Sequence, residues 1–98
     1  MSEQSTSALK GGELHRQLGK LEGWTLAEDQ RLEKEYRFPD FREALAYVNR
    51  LGEVAERMGH HPDIFLAWGR VKVTLWTHSV GGVTAKDFAL AADADAVR

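Results

Sequence analysis

The sequence predicts an α+β fold: a four-stranded antiparallel sheet with three helices on one face, in the order α-β-β-α-β-β-α. Three observations carry this. Apolar and polar residues alternate with period two, as in half-buried strands. Each strand pair is joined by too few residues for a crossover helix, so its strands run antiparallel. Three other segments repeat apolar residues every three or four positions, the mark of a helix with one buried face.

Residues 1–7 are polar and are expected to form a disordered tail, which leaves 8–98 as one domain. Over Leu9–Leu21, the stripe Leu14, Leu18 and Leu21 predicts the first helix, ended by Gly23. Trp24–Ala27 and Arg31–Phe38 read as strands around the polar turn Glu28-Asp29-Gln30. In the second strand, Leu32, Tyr36 and Phe38 share a face with Lys34. Asp40, with Glu43 three residues on, caps the long helix Phe41–Met58. Its stripe is Phe41, Ala44, Leu45, Val48, Leu51, Ala55 and Met58, with Tyr47 and Val54 beside it. Gly59 stops this helix, and Pro62 prevents its resumption.

Ile64–Trp68 and Val71–His78 read as strands joined by Gly69-Arg70, a type II′ hairpin signal. Thr84, with Asp87 three residues later, opens the last helix, striped by Ala85, Phe88, Ala89 and Ala92. A Gly69-Arg70 loop makes paired residue numbers sum to 139. Trp68 then faces Val71, Leu66 faces Val73 and Ile64 faces Leu75, all on the core side. Asp63 faces Trp76, and His61 falls opposite His78 unless Pro62 disturbs the ladder. His60 is expected beside Glu56 at the end of the long helix.

Ninety-eight residues supply one hydrophobic core. A net charge of −2 argues against a nucleic-acid surface or docking on anionic membranes. No cysteine is present, so thiolate chemistry, disulfides and iron–sulfur clusters are excluded. The apolar run Ile64–Trp68 is too short to cross a bilayer, and the start of the chain does not read as a secretory signal. A cytoplasmic protein is expected. No Walker loop, GxGxxG or HExxH occurs.

Any metal would have to be held by His15, His60, His61, His78 and carboxylates. Adjacent histidines seldom converge on one ion, so proton transfer is the stronger reading. Histidine exchanges protons near neutral pH, and three of the four histidines gather where a helix end meets two strands. Each residue also has an ordinary structural explanation. Histidines past a helix C-terminus complement its dipole. Asp87 serves as a cap, Glu56 as a solvated helix carboxylate, and Trp24 and Trp68 as core. His15 is given no role.

The pattern Glu56-x-x-x-His60-His61-Pro62, then Trp68, Thr77-His78 and Asp87, resembles the pterin-4a-carbinolamine dehydratases. Gly23-Trp24 and Gly81-Gly82-x-Thr84-x-x-Asp87 extend the likeness from about Leu9 onward. The resemblance implies dehydration of a 4a-hydroxytetrahydropterin to the quinonoid dihydropterin, with no metal or organic cofactor. It implies His60, His61 and His78 as acid–base residues and Glu56, Trp24, Asp87 and Pro62 as substrate-binding positions. Position 59 is Gly where animal members carry an acidic residue, which implies altered substrate binding. The expected partner is a small pterin, with no direct nucleic-acid or membrane contact. A homodimer or homotetramer is expected too, because Phe65, Trp76, Tyr47 and Val54 are surplus apolar groups on a small chain. The alternative function is a non-catalytic dimerisation or protein-binding module on the same fold.

Overall fold

The computed structural model describes residues 8–98, so the expected tail lies outside the described residues. The elements are α1 (Gly11–Gly19), β1 (Thr25–Leu26), β2 (Leu32–Arg37), α2 (Phe41–Met58), β3 (Asp63–Ala67), β4 (Arg70–Leu75) and α3 (Ala85–Ala96). A short 3₁₀ turn, His78–Val80, follows β4. The strands form one antiparallel sheet in the order β1-β2-β4-β3. The α+β architecture read from the sequence is the one observed.

One face of the sheet supplies Leu32, Tyr36, Val71, Val73 and Leu75 to the core. Leu14 of α1, Tyr47 and Leu51 of α2, and Phe88 and Leu90 of α3 pack against them. Lys34 shares this inward side of β2, and its charge is met by the Asp95 carboxylate at 2.8 Å and the Glu22 carbonyl at 2.8 Å. Asp95 also accepts from the Tyr36 hydroxyl at 2.5 Å and the Trp24 indole N–H at 3.2 Å. A buried polar group is tolerated only with partners, and this cluster supplies them.

The long helix has the expected bounds and cap, the Asp40 side chain accepting from the Glu43 amide at 2.9 Å. Its buried face differs from the expected stripe. Tyr47 and Val54 are buried, whereas Phe41, Leu45 and Met58 are exposed. The core therefore follows Ala44, Tyr47, Leu51, Val54 and Ala55. Tyr47 can be buried because its hydroxyl donates to the Ala94 carbonyl at 2.9 Å.

The β3–β4 register also differs. Ile64 faces Val73 and Leu66 faces Val71, so paired numbers sum to 137, not 139. The loop is Trp68-Gly69, and neither residue has a positive φ, so the turn is not type II′. The neighbouring strand decides this. The Phe38 amide donates to the Gly69 carbonyl at 2.9 Å, which seats the turn against the end of β2. A Cβ on Gly69 would lie 2.7 Å from the Phe38 oxygen, so close approach explains the glycine. A slip of two preserves the inward face but frees Trp68, which is 68% exposed and not core. It also brings Trp76, not His78, to the level of His61.

Two predictions follow from this packing. Gly69→Ala is expected to destabilise the protein by about 1–3 kcal/mol in chemical unfolding, because backbone must move to admit the methyl. The second concerns alkaline pH. Burial, then the Asp95 hydrogen bond, pushes the Tyr36 hydroxyl far above the usual tyrosine range. Burial pushes Tyr47 up to about 12. Above the ordinary tyrosine value near 10, the unfolded chain loses these protons first. Stability is then complete below about pH 10 and falls as pH rises, by about 1.4 kcal/mol per unit for each tyrosine. Tyr36→Phe is expected to make the decline from pH 10 to about 12 shallower, read by urea unfolding at each pH.

Candidate functional site

The site begins where α2 stops. Gly59 takes the left-handed conformation, φ 67° and ψ 26°, and its N–H bonds back to the Ala55 and Glu56 carbonyls. The His60 amide closes the same cap on the Ala55 carbonyl at 3.3 Å. A Cβ at position 59 would meet nothing within 4 Å, so the backbone conformation, not space, favours glycine here. The reversal sends His60 and His61 in different directions.

His60 turns inward. Its Nε2 lies 2.6 Å from Asp87 Oδ1, and Asp87 is fully buried. The other carboxylate oxygen accepts from the Thr84 amide at 2.9 Å and the Thr77 hydroxyl at 2.8 Å. Thr77 gives its one hydroxyl proton to Asp87, so Thr84, 2.9 Å away, must donate to Thr77. Thr84 Oγ1 in turn accepts from the Lys86 amide at 3.2 Å. Asp87 thus completes the capping box of α3 and holds His60 with its other oxygen. The cap expected of Asp87 is observed; as an expected substrate-binding position it is fully buried and lines neither hollow of the site, so it meets the cleft only through His60. With Oδ2 accepting twice, the proton between Asp87 and His60 is assigned to Nε2, which leaves His60 Nδ1 for a ligand.

His61 turns outward, and its Nε2 lies 2.6 Å from Glu56 Oε2, with both side chains largely exposed. Glu56 therefore partners His61, not His60. His78 is not cross-strand from His61. Thr77 instead bridges to Gly82, and its carbonyl accepts from the Val80 and Gly81 amides, so His78 opens a tight loop. Its ring stacks on Trp76, with centroids 3.9 Å apart and planes 22° apart.

The three histidines nevertheless share one cleft of about 360 Å³, completed by Gly59, Trp76, Thr77, Ser79 and Lys86. Glu56 and Pro62 line an adjoining hollow of about 430 Å³ that His61 also borders. Trp24 is elsewhere. It is buried, and its indole engages Asp95, eight residues and about 12 Å along α3 from Asp87. Among the described residues, His15 bonds only to the Gly11 carbonyl of its own helix, at 3.0 Å. Trp76 and Lys86 had no site role in the sequence reading. Trp76 was visible as an outward aromatic, and Lys86 only as part of the turn capped by Thr84. Among the described residues, no three His, Asp or Glu side chains converge as metal ligands. Imidazoles with carboxylates behind them are suited to passing protons to and from a small ring.

A sequence profile described as pterin 4 alpha carbinolamine dehydratase matches residues 7–97. The chain is 48% identical to a Rubrobacter xylanophilus protein over 89% of its own length and 81% of the relative's. A Nostoc protein is 54% identical over 82% of this chain and 85% of its own. Both are provisionally named pterin-4-alpha-carbinolamine dehydratases. A Brucella melitensis structure described as a transcriptional coactivator/pterin dehydratase superposes with TM-score 0.89 at 34% identity, covering 93% of this chain and 98% of that one. A pterin dehydratase-like protein described as a RuBisCO assembly factor in the alpha-carboxysome superposes with TM-score 0.66 at 25% identity, covering 76% and 88%.

The geometry around Asp87 predicts different outcomes for two substitutions. Asp87→Asn keeps an acceptor for Thr77 and the Thr84 amide but turns an N–H toward His60. His60 is then expected to switch to the Nδ1–H tautomer, read from its ring-nitrogen NMR shifts, at a cost of about 1–2 kcal/mol. Asp87→Ala leaves the Thr84 amide and His60 Nε2 without their acceptor and is expected to cost about 3–5 kcal/mol in thermal unfolding. An Nδ1–H imidazole at His60 already present in the wild-type spectrum would refute the tautomer assignment.

Proposed function

The chain belongs to the pterin 4 alpha carbinolamine dehydratase family, and on that premise we propose that it removes water from a 4a-hydroxytetrahydropterin to give the quinonoid dihydropterin. The observation that carries this reading is the convergence of three imidazoles on one cleft, two of them with a carboxylate 2.6 Å behind the ring.

The reaction moves two protons. The N5 lone pair forms the C4a=N5 bond, the C4a–O pair leaves with the oxygen, and the N5 proton is lost. A proton delivered to that oxygen makes water the leaving group. No electrons enter or leave, so acid–base groups suffice. His60 presents Nδ1, and a proton taken up there places positive charge against the Asp87 carboxylate. His61, backed by Glu56 near solvent, is suited to exchange protons with water. His78 provides a third imidazole from the loop after β4. One imidazole in each protonation state, on either side of a flat ring, performs both transfers and contributes on the order of 10²–10⁴-fold. Trp24 and Pro62 stand outside this acid–base set. Cytoplasmic residence fits a cysteine-free chain acting on a soluble pterin.

The active form in this reading is a homo-oligomer. Phe65 is 54% exposed, Trp68 more so, and β3 is an open sheet edge that a second copy can cover. Light scattering at micromolar concentration is expected to give a mass of two or four chains. A second function has one observation in its favour: the solved neighbour described as an assembly factor carries this fold. In that reading the chain is a protein-binding module without turnover.

A dehydratase assay separates the two. Wild type is expected to accelerate 4a-hydroxypterin dehydration. His60→Ala, His61→Ala and His78→Ala are each expected to lose about 10²-fold or more of kcat. The exposed His61 and His78 variants should keep the melting temperature. Folded wild type with no turnover would establish the binding module instead. Prolonged chelation is expected to leave the rate unchanged; a loss restored by zinc would make the reaction metal-dependent.

A further inference from the structure

His60 and His61 each have a carboxylate to fix the ring, whereas His78 has none. No hydrogen bond among the described residues holds its imidazole, and the side chain is exposed on the turn after β4. A histidine free to change rotamer spends little time in one geometry, and proton transfer demands a ring within hydrogen-bond reach of the substrate. What His78 does have is a flat surface. Its ring lies 3.9 Å from the Trp76 ring and nearly parallel to it.

Trp76 is itself held on one face and one edge. The Arg31 guanidinium carbon lies 3.8 Å from the Trp76 ring centre. Two planar groups cannot both stand at that height over the same ring centre, so Arg31 and His78 occupy opposite faces. The indole N–H donates to Asp63 Oδ2 at 3.3 Å, and Arg31 is tethered by Asp29 at 3.3 Å. The stack thus joins the turn before β2, the start of β3 and the end of β4. We propose that Trp76 is a positioning residue for His78: the layered Arg31–Trp76–His78 stack sets the orientation of the imidazole at the cleft wall. This rests on the dehydratase reading and deepens it. An indole pinned on one face and one edge leaves its second face as a fixed platform, so the histidine's plane is set without a hydrogen bond that would occupy a ring nitrogen. Both nitrogens stay available for the reaction.

The test is a double-mutant cycle with an independent spectroscopic arm. Trp76→Leu keeps an apolar side chain without a π-face. It is expected to lower kcat on the order of 10-fold to 100-fold with KM little changed, the effect of a misplaced reacting group. Trp76→Phe keeps a stacking face without the bond to Asp63 and is expected to recover most of kcat. In the His78→Ala background, Trp76→Leu is expected to add no further loss. A full additional loss there would overturn the proposal, because Trp76 would then act on the substrate directly. Wild-type kcat in Trp76→Leu would overturn it as well. The spectroscopic arm is nuclear Overhauser contact between the His78 and Trp76 ring protons in the wild-type protein. Its presence supports the stack, and its absence overturns the proposal while leaving the dehydratase reading intact. Contacts present with full activity in His78→Ala would instead sink the catalytic assignment of His78, and the positioning role with it.

Discussion

The Asp87 carboxylate is the interaction on which the rest of the site depends. It is fully buried, so its negative charge would be expensive without donors. Three donors surround it: the Thr84 amide, the Thr77 hydroxyl and His60 Nε2. Each comes from a different part of the chain, namely the start of α3, the exit from β4 and the exit from α2. One carboxylate therefore ties three elements together, and removing it would leave the Thr84 amide and His60 Nε2 without this partner, while Thr77 keeps Thr84. The positive end of the α3 dipole lies at the same place and favours the charge. The stability of the α3 N-terminus and the orientation of His60 are in this way one problem with one solution.

A second carboxylate near the other end of α3 is handled differently. Asp95 lies where the helix dipole disfavours negative charge. Lys34, Tyr36 and Trp24 all direct hydrogens at it, which offsets that cost and brings the first strands to the helix. α3 is thus held to the sheet by a polar cluster near each end and by Phe88, Leu90, Ala91 and Ala94 between them. The Asp95 cluster has no histidine and anchors structure. The Asp87 cluster ends on an imidazole that reaches the cleft. The same device, a half-buried or buried carboxylate gathering donors, is suited to proton exchange only where one donor is an imidazole.

This distinction matters because the fold alone does not state a function. The solved neighbours include a protein described as a coactivator and dehydratase, and one described as an assembly factor. A sheet with helices on one face and apolar residues left outside suits both catalysis and association. The three imidazoles around one cleft weigh toward catalysis. Trp68 and Phe65, far along the hairpin from those imidazoles, leave room for association without competing for the cleft.

Although it ran the last strand on to His78, where the chain forms a 3₁₀ turn, the sequence by itself determined the order of the three helices and four strands, the caps of α2 and α3, and the candidate histidines. These are local matters: apolar period, capping residues three apart, and a motif of fixed spacing all act within a few turns of chain. It also placed Leu66, Val71 and Val73 on the correct side of the sheet. It could not choose the register, because strands have period two and a slip of two keeps each residue that stays paired on its own face. Only the Phe38–Gly69 contact with the neighbouring strand decided that, and Trp68 moved from core to solvent as a result. The face of α2 was likewise left open, since Tyr47 needed the Ala94 carbonyl from another helix before it could be buried. The pairing of His60 with Asp87, and of His61 with Glu56, was settled last. Those partners depend on how a left-handed Gly59 splits two adjacent side chains, and on α3 arriving 27 positions later to receive one of them.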